Sequence, residues 1–136
     1  MTASVPIRAD GADVVGQMCQ ATIGGRRAVK WLGALAKQFE LSEPEFEILW
    51  CLAGAACGVD QTTLAATVVF SPAQVSACVE KLRVRGLIAH QETPGDRRRH
   101  LWQLTGEASE LLKKFVLAAG SADSDIQHTT QVEAAA

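Results

Sequence analysis

The chain has 136 residues, 48% of them apolar and 21% charged, with a net charge of −2. That is the size and composition of one soluble globular domain, and nothing in it suggests a second. The longest apolar run, residues 48–59, is too short to span a bilayer, and residues 1–10 lack the basic start and long apolar stretch of a secretion signal, so a cytoplasmic protein without a membrane partner is expected.

Residues 1–10 show no periodicity and read as a flexible arm ahead of a domain spanning 11–119. From Val14 the apolar positions Val14, Val15, Met18, Cys19, Ile23, Val29, Leu32, Leu35 and Phe39 follow a helical period. This predicts one long helix or two, because Gly24-Gly25 disfavours a helix by roughly 2 kcal/mol relative to Ala-Ala and should kink or break it. A stripe of this length must either fold back on its own domain or pack against a second copy.

Ser42 opens the next helix as N-cap, with Glu45 in capping-box position and Pro44 in the first turn; Phe46, Leu49, Trp50 and Ala53 would form its inner face. Asp60 can cap a short helix over 61–68, followed by a turn at Val69-Phe70 whose side chains would join the core. Ser71 then supplies another N-cap, Pro72 suits a first turn, and Gln74 completes a capping box. Val75, Cys78, Val79 and Leu82 fall on one face of this helix, with Gln74, Ser76, Ala77, Glu80, Lys81 and Arg83 largely on the other. Gly86 is a natural stop.

Leu87-Ile88-Ala89 begins an extended run that turns at Thr93-Pro94-Gly95-Asp96 and returns from Arg99 to Leu104. Two short helices and a basic-tipped hairpin, over about 42–105, outline a winged helix-turn-helix reading head. Residues 106–119 repeat the helical pattern through Leu111, Leu112, Phe115 and Val116. Residues 120–136 hold only Ile126 and Val132 as larger apolar groups, so a disordered tail or a weakly anchored helix is expected.

The net charge argues against a nucleic-acid partner, but its distribution argues for one. Residues 71–104 carry six basic side chains (Lys81, Arg83, Arg85, Arg97, Arg98, Arg99) against three acids (Glu80, Glu92, Asp96). Phosphates feel this local field rather than the total.

The order of Leu64-Ala65, Ser71-Pro72, Leu82, Gly86-Leu87-Ile88, Asp96-x-Arg98 and Leu104-Thr105 resembles the multiple-antibiotic-resistance-regulator (MarR) family, and the match extends more weakly from Leu41 to Phe115. The resemblance implies a mainly α fold, a winged helix-turn-helix with a two-stranded β-hairpin wing and flanking dimerisation helices. It further implies a homodimer that binds double-stranded DNA as a transcription regulator, a repressor released by a small aromatic effector. Pro72, Ala73, Gln74 and Ser76 would then approach base edges, and Lys81 a phosphate. Arg98, held by Asp96 and flanked by Arg97 and Arg99, would enter the minor groove. Trp31, Phe46 and Trp50 are candidates for the effector pocket, with core packing as the other reading. The chain departs from the family pattern at Ala77 and His90, where arginine is frequent, and in its short polar C-terminus, where a further helix usually closes the dimer.

Other chemistry is thinly supported. Cys19, Cys51, Cys57 and Cys78 lie within helical patterns rather than in paired spacing, so buried thiols are expected instead of disulfides or zinc. His90 and His100 could face each other across the hairpin, but no third metal ligand stands at a readable spacing. A branch of the family senses hydroperoxides through a thiol near Cys19, assisted by tyrosines, and this chain has none. No catalytic constellation or cofactor motif occurs, so no enzyme is expected. The alternative function is a winged-helix module that binds protein rather than DNA.

Overall fold

In the computed structural model, residues 11–91 and 100–135 are described, with side chains as far as residue 122. The elements are α1 (Asp13–Lys37), α2 (Glu43–Ala53), α3 (Gln61–Val68), α4 (Pro72–Val84), β1 (Ile88–Gln91), β2 (Leu101–Leu104) and α5 (Gly106–Ala135). The chain divides into two compact units, residues 1–34 and 35–136.

The first unit is carried by α1, which runs unbroken through Gly24-Gly25. A break there would strand backbone amides and carbonyls on both sides, which outweighs a propensity penalty of roughly 2 kcal/mol. Residues 11–30 are all exposed, and Val14, Val15, Met18, Ile23 and Val29 each keep 43–62% of their surface.

The second unit holds the core. Leu35 and Ala36 from the last turn of α1 are buried, as are Leu41, Phe46, Ile48, Leu49, Leu52, Leu64, Leu87, Ile88, Trp102, Leu112 and Phe115. The capping box of α2 is complete: Ser42 Oγ accepts from the Glu45 amide at 3.3 Å, and Glu45 Oε1 accepts from the Ser42 amide at 2.9 Å. The inner face of α2 differs from the expected one, since Trp50 and Ala53 are exposed while Ile48 and Leu52 are buried.

Asp60 caps α3 through Oδ1, which accepts from the Thr63 amide at 2.7 Å. The helix ends at Val69 in the left-handed conformation, φ 58°. Val69 does not join the core as expected; the left-handed stop leaves it 85% exposed. The chain then turns through 112° into α4, the angle expected of a helix-turn-helix.

The wing strands pair antiparallel with Ile88 opposite Leu104 and His90 opposite Trp102. Val59 adds a bridge to Trp102 through reciprocal backbone bonds of 2.9 and 2.8 Å. Gly58 permits this approach: it sits at φ 81°, and a Cβ there would lie 3.1 Å from Leu101 Cβ and 3.3 Å from the Trp102 carbonyl oxygen. Thr105 ties the wing back, donating its hydroxyl to the Gly86 carbonyl at 2.7 Å while its Oγ1 accepts from the Ala108 amide at the start of α5. Through residues 120–135, where composition leaves a disordered tail or a loosely held helix open, α5 continues as helix. Among the described residues no single helix is long and apolar enough to cross a membrane.

Candidate nucleic-acid interface

The second helix of the helix-turn-helix, α4, is held at both ends. Ser71 Oγ accepts from the Gln74 amide at 3.1 Å, which is the first half of the expected capping box. At the far end Gly86 adopts φ 75° and the Leu87 amide donates to the Leu82 carbonyl at 3.0 Å, the closure that a glycine stop provides. Val75, Cys78, Val79 and Leu82 are buried at i, i+3, i+4 and i+7. Pro72, Ala73, Gln74, Ser76 and Lys81 are all exposed. The residues selected from the sequence as base and phosphate contacts therefore lie outside the core on one short helix.

The sequence reading misses a residue that bears on this face. Gln61, the first residue of α3, donates from Nε2 to Ser76 Oγ at 3.0 Å, and its Oε1 accepts from Trp102 Nε1 at 3.4 Å. One amide thus joins the wing to α4. Its only sequence signal is a polar residue directly after the Asp60 cap, and its partners are 15 and 41 residues away.

Two of the six basic groups in residues 71–104 are engaged elsewhere. Arg83 forms a forked pair with Glu80, Nε to Oε2 at 3.0 Å and Nη2 to Oε1 at 2.6 Å. The hydrogen bond from Arg83, with its charge, holds the Glu80 carboxyl below the usual range. Arg85 donates to the Glu40 carbonyl at 2.6 Å and the Phe39 carbonyl at 3.3 Å, so it ties down the turn that follows α1. Asp96, Arg97, Arg98 and Arg99 lie outside the described residues. At the base of the wing His90 stacks on Trp102, with ring centroids 3.8 Å apart, and His100 stands 5.3 Å from His90. The strand register makes Trp102 the direct partner of His90, so the two histidines are not directly opposite as expected.

The effector candidates separate. Phe46 is buried, stacked on Phe115 at 3.7 Å. Trp50 is 55% exposed and borders an open apolar groove of about 540 Å³, shared with Leu104, Leu112, Lys113, Val116 and Leu117. Trp31 belongs to the first unit and is half-buried. The cysteines depart from the buried reading: Cys78 is buried and Cys51 half-buried, but Cys19 and Cys57 are exposed. Burial pushes the Cys51 and Cys78 thiols up, away from the reactive thiolate.

Two helices at 112°, a glycine-stopped second helix with an exposed polar face, and a hairpin pinned beside it define a winged helix-turn-helix. Residues 41–100 match the model of the MarR family. The chain is similar to the transcriptional regulator HosA of Escherichia coli, at 24% identity over 86 residues that make up 63% of each chain. The alignment thus spans under two thirds of that relative's length. Among solved structures it resembles the transcriptional regulator BldR of Sulfolobus solfataricus (TM-score 0.74, 19% identity, 88% of this chain and 85% of that one). It also resembles a point mutant of MepR from Staphylococcus aureus solved bound to an oligodeoxyribonucleotide (TM-score 0.64, 17% identity, 87% and 83%). The MarR-family match thus runs from just before α2 through the first wing strand, residues 41–100 of 136.

Proposed function

We propose that this protein is a cytoplasmic, homodimeric repressor that reads double-stranded DNA with α4 and is released from it by a small aromatic effector. The observation that carries the reading is the exposed row Pro72, Ala73, Gln74, Ser76 and Lys81 on a helix fixed at both ends. Side chains presented from a rigid element can discriminate bases, because little entropy is lost when they engage. Lys81 serves as a phosphate contact, and Arg98, braced by Asp96 and flanked by Arg97 and Arg99, reaches the minor groove.

Dimerisation is supported by the apolar strip of α1, an unusual amount of exposed aliphatic surface for one helix. The groove beside Trp50 supports the effector reading because it is open and apolar, as a site for an aromatic ring must be.

Mobility-shift titration against fragments of the host genome at low salt tests the DNA reading. A subset of fragments should shift at nanomolar to micromolar protein, with affinity falling steeply as salt rises. If nothing shifts at any salt, the reading fails and a protein-binding winged helix takes its place. A phenolic acid should quench tryptophan fluorescence saturably and bind less tightly to the DNA complex than to free protein. Equal affinity in both states removes the release mechanism.

A further inference from the structure

We propose that Gln61 fixes the polarity of Ser76, so that the serine meets DNA as a hydrogen-bond donor and rejects cytosine, the base with no major-groove acceptor, at one position of each half-site. This deepens the DNA-reading proposal and rests on it.

The argument starts at Trp102. An indole N–H can only donate, so the Gln61 atom facing Trp102 Nε1 at 3.4 Å must be the amide oxygen. The amide nitrogen is thereby turned to Ser76, where it lies 3.0 Å from Oγ. An amide N–H₂ can only donate, so Ser76 must accept there, and its own proton is directed away from Gln61. Thr22 and Thr67 behave differently: each returns its hydroxyl to the carbonyl four residues back, at 2.7 and 2.8 Å. Ser76 is instead committed to a neighbouring helix and remains exposed.

A hydroxyl is ordinarily indifferent to donor or acceptor partners, which makes serine a poor reader of sequence. Here one lone pair is already occupied, and the proton points outward. In the major groove guanine offers acceptors at O6 and N7, thymine at O4 and adenine at N7 beside its amino N6, whereas cytosine offers only the amino group N4. An outward-pointing proton finds a partner on the first three and none on cytosine. The wing contributes without touching the base, because Trp102 sets the amide and the amide sets the serine.

Selection of bound sequences from a randomised DNA pool, read by deep sequencing, tests this with the full chain. Wild type should disfavour cytosine about five-fold at one symmetric pair of positions, the discrimination expected of a single hydrogen bond. Ser76→Ala should erase that preference while leaving the others. In Gln61→Glu the carboxylate accepts from both Trp102 and Ser76, so the serine proton turns inward and its lone pairs face the groove. The preference should then invert toward cytosine, over a uniform affinity loss from the added charge. Trp102→Phe frees the amide to flip and should flatten the preference without inverting it, with circular dichroism checking the fold; Gln61→Glu carries the test if this variant unfolds. If Ser76→Ala erases the preference but Gln61→Glu leaves its sense unchanged, the polarity relay is wrong although Ser76 reads DNA. If Ser76→Ala changes nothing while Gln74→Ala does, Ser76 is no reader and the inference falls alone. If wild type enriches no sequence, the DNA-reading proposal falls with it.

Discussion

Val69 stops α3 in the left-handed region at φ 58°, a conformation that disfavours a β-branched residue by about 1–2 kcal/mol. Its side chain is 85% exposed and contributes little burial in return. Val69→Asn should therefore raise stability by about 1 kcal/mol, since asparagine tolerates this region; a higher melting temperature at equal protein concentration would show it. Gly58 is the opposite case. Gly58→Ala meets both a positive φ and the Leu101 and Trp102 atoms, and a loss of about 2 kcal/mol in urea titrations is expected. Glu43 offers a pH test. Burial, reinforced by a hydrogen bond with Glu47 and the charge of Glu47, pushes its carboxyl from 4.5 up to about 7. A raised carboxyl binds its proton more tightly in the folded state, so its contribution is full below pH 4.5 and is lost as pH climbs through about 7. Glu43→Gln should accordingly melt higher than wild type at about pH 8, with the gap closing near pH 5. A gap independent of pH would assign the effect to packing.

At the level of elements, much is legible because helix signals are local. The Ser42 and Asp60 caps, the Ser71-Pro72 start and the Gly86 stop all act within a few residues, and each forms the bond its spacing predicts. What sequence does not supply are bonds between distant segments: Gln61 to Trp102, Val59 to Trp102, and Arg85 to the Phe39 and Glu40 carbonyls. A basic residue at a helix end reads as surface charge until the other helix is in view, which is why the sequence alone assigns Arg85 to the DNA-facing charge. Removing it in Arg85→Ala should lower stability by about 1 kcal/mol, while Arg85→Lys restores only part, because an ammonium does not fork between two carbonyls. On α4 the roles of two exposed residues separate by salt. Lys81→Ala should weaken all DNA alike and reduce the salt slope by about one unit, whereas Gln74→Ala should relax one base position by roughly 1–3 kcal/mol with the slope unchanged. Titrations on operator and scrambled duplex at several salt concentrations distinguish them; equal losses on both DNAs would defeat this division.

For the whole molecule, the proposed dimer follows from the strip of α1. Met18→Asp places a charge in that strip, and light scattering should return half the wild-type mass while helical circular dichroism persists. An unchanged mass would move the interface elsewhere. The bridge between Val59 and Trp102 has a separate consequence, in time rather than affinity. Its two residues stand 43 positions apart in the sequence, and the helix-turn-helix and first wing strand lie on the loop that they close. A lone pair of bonds at the end of a connecting segment would ordinarily open by local fraying. This pair is anchored by α3 on one side and the wing on the other, so freeing it requires the segments to come apart together. Its two amides should exchange with deuterium as slowly as those of buried α4, and fast exchange at Val59 would show that the wing detaches from the helices as an independent unit.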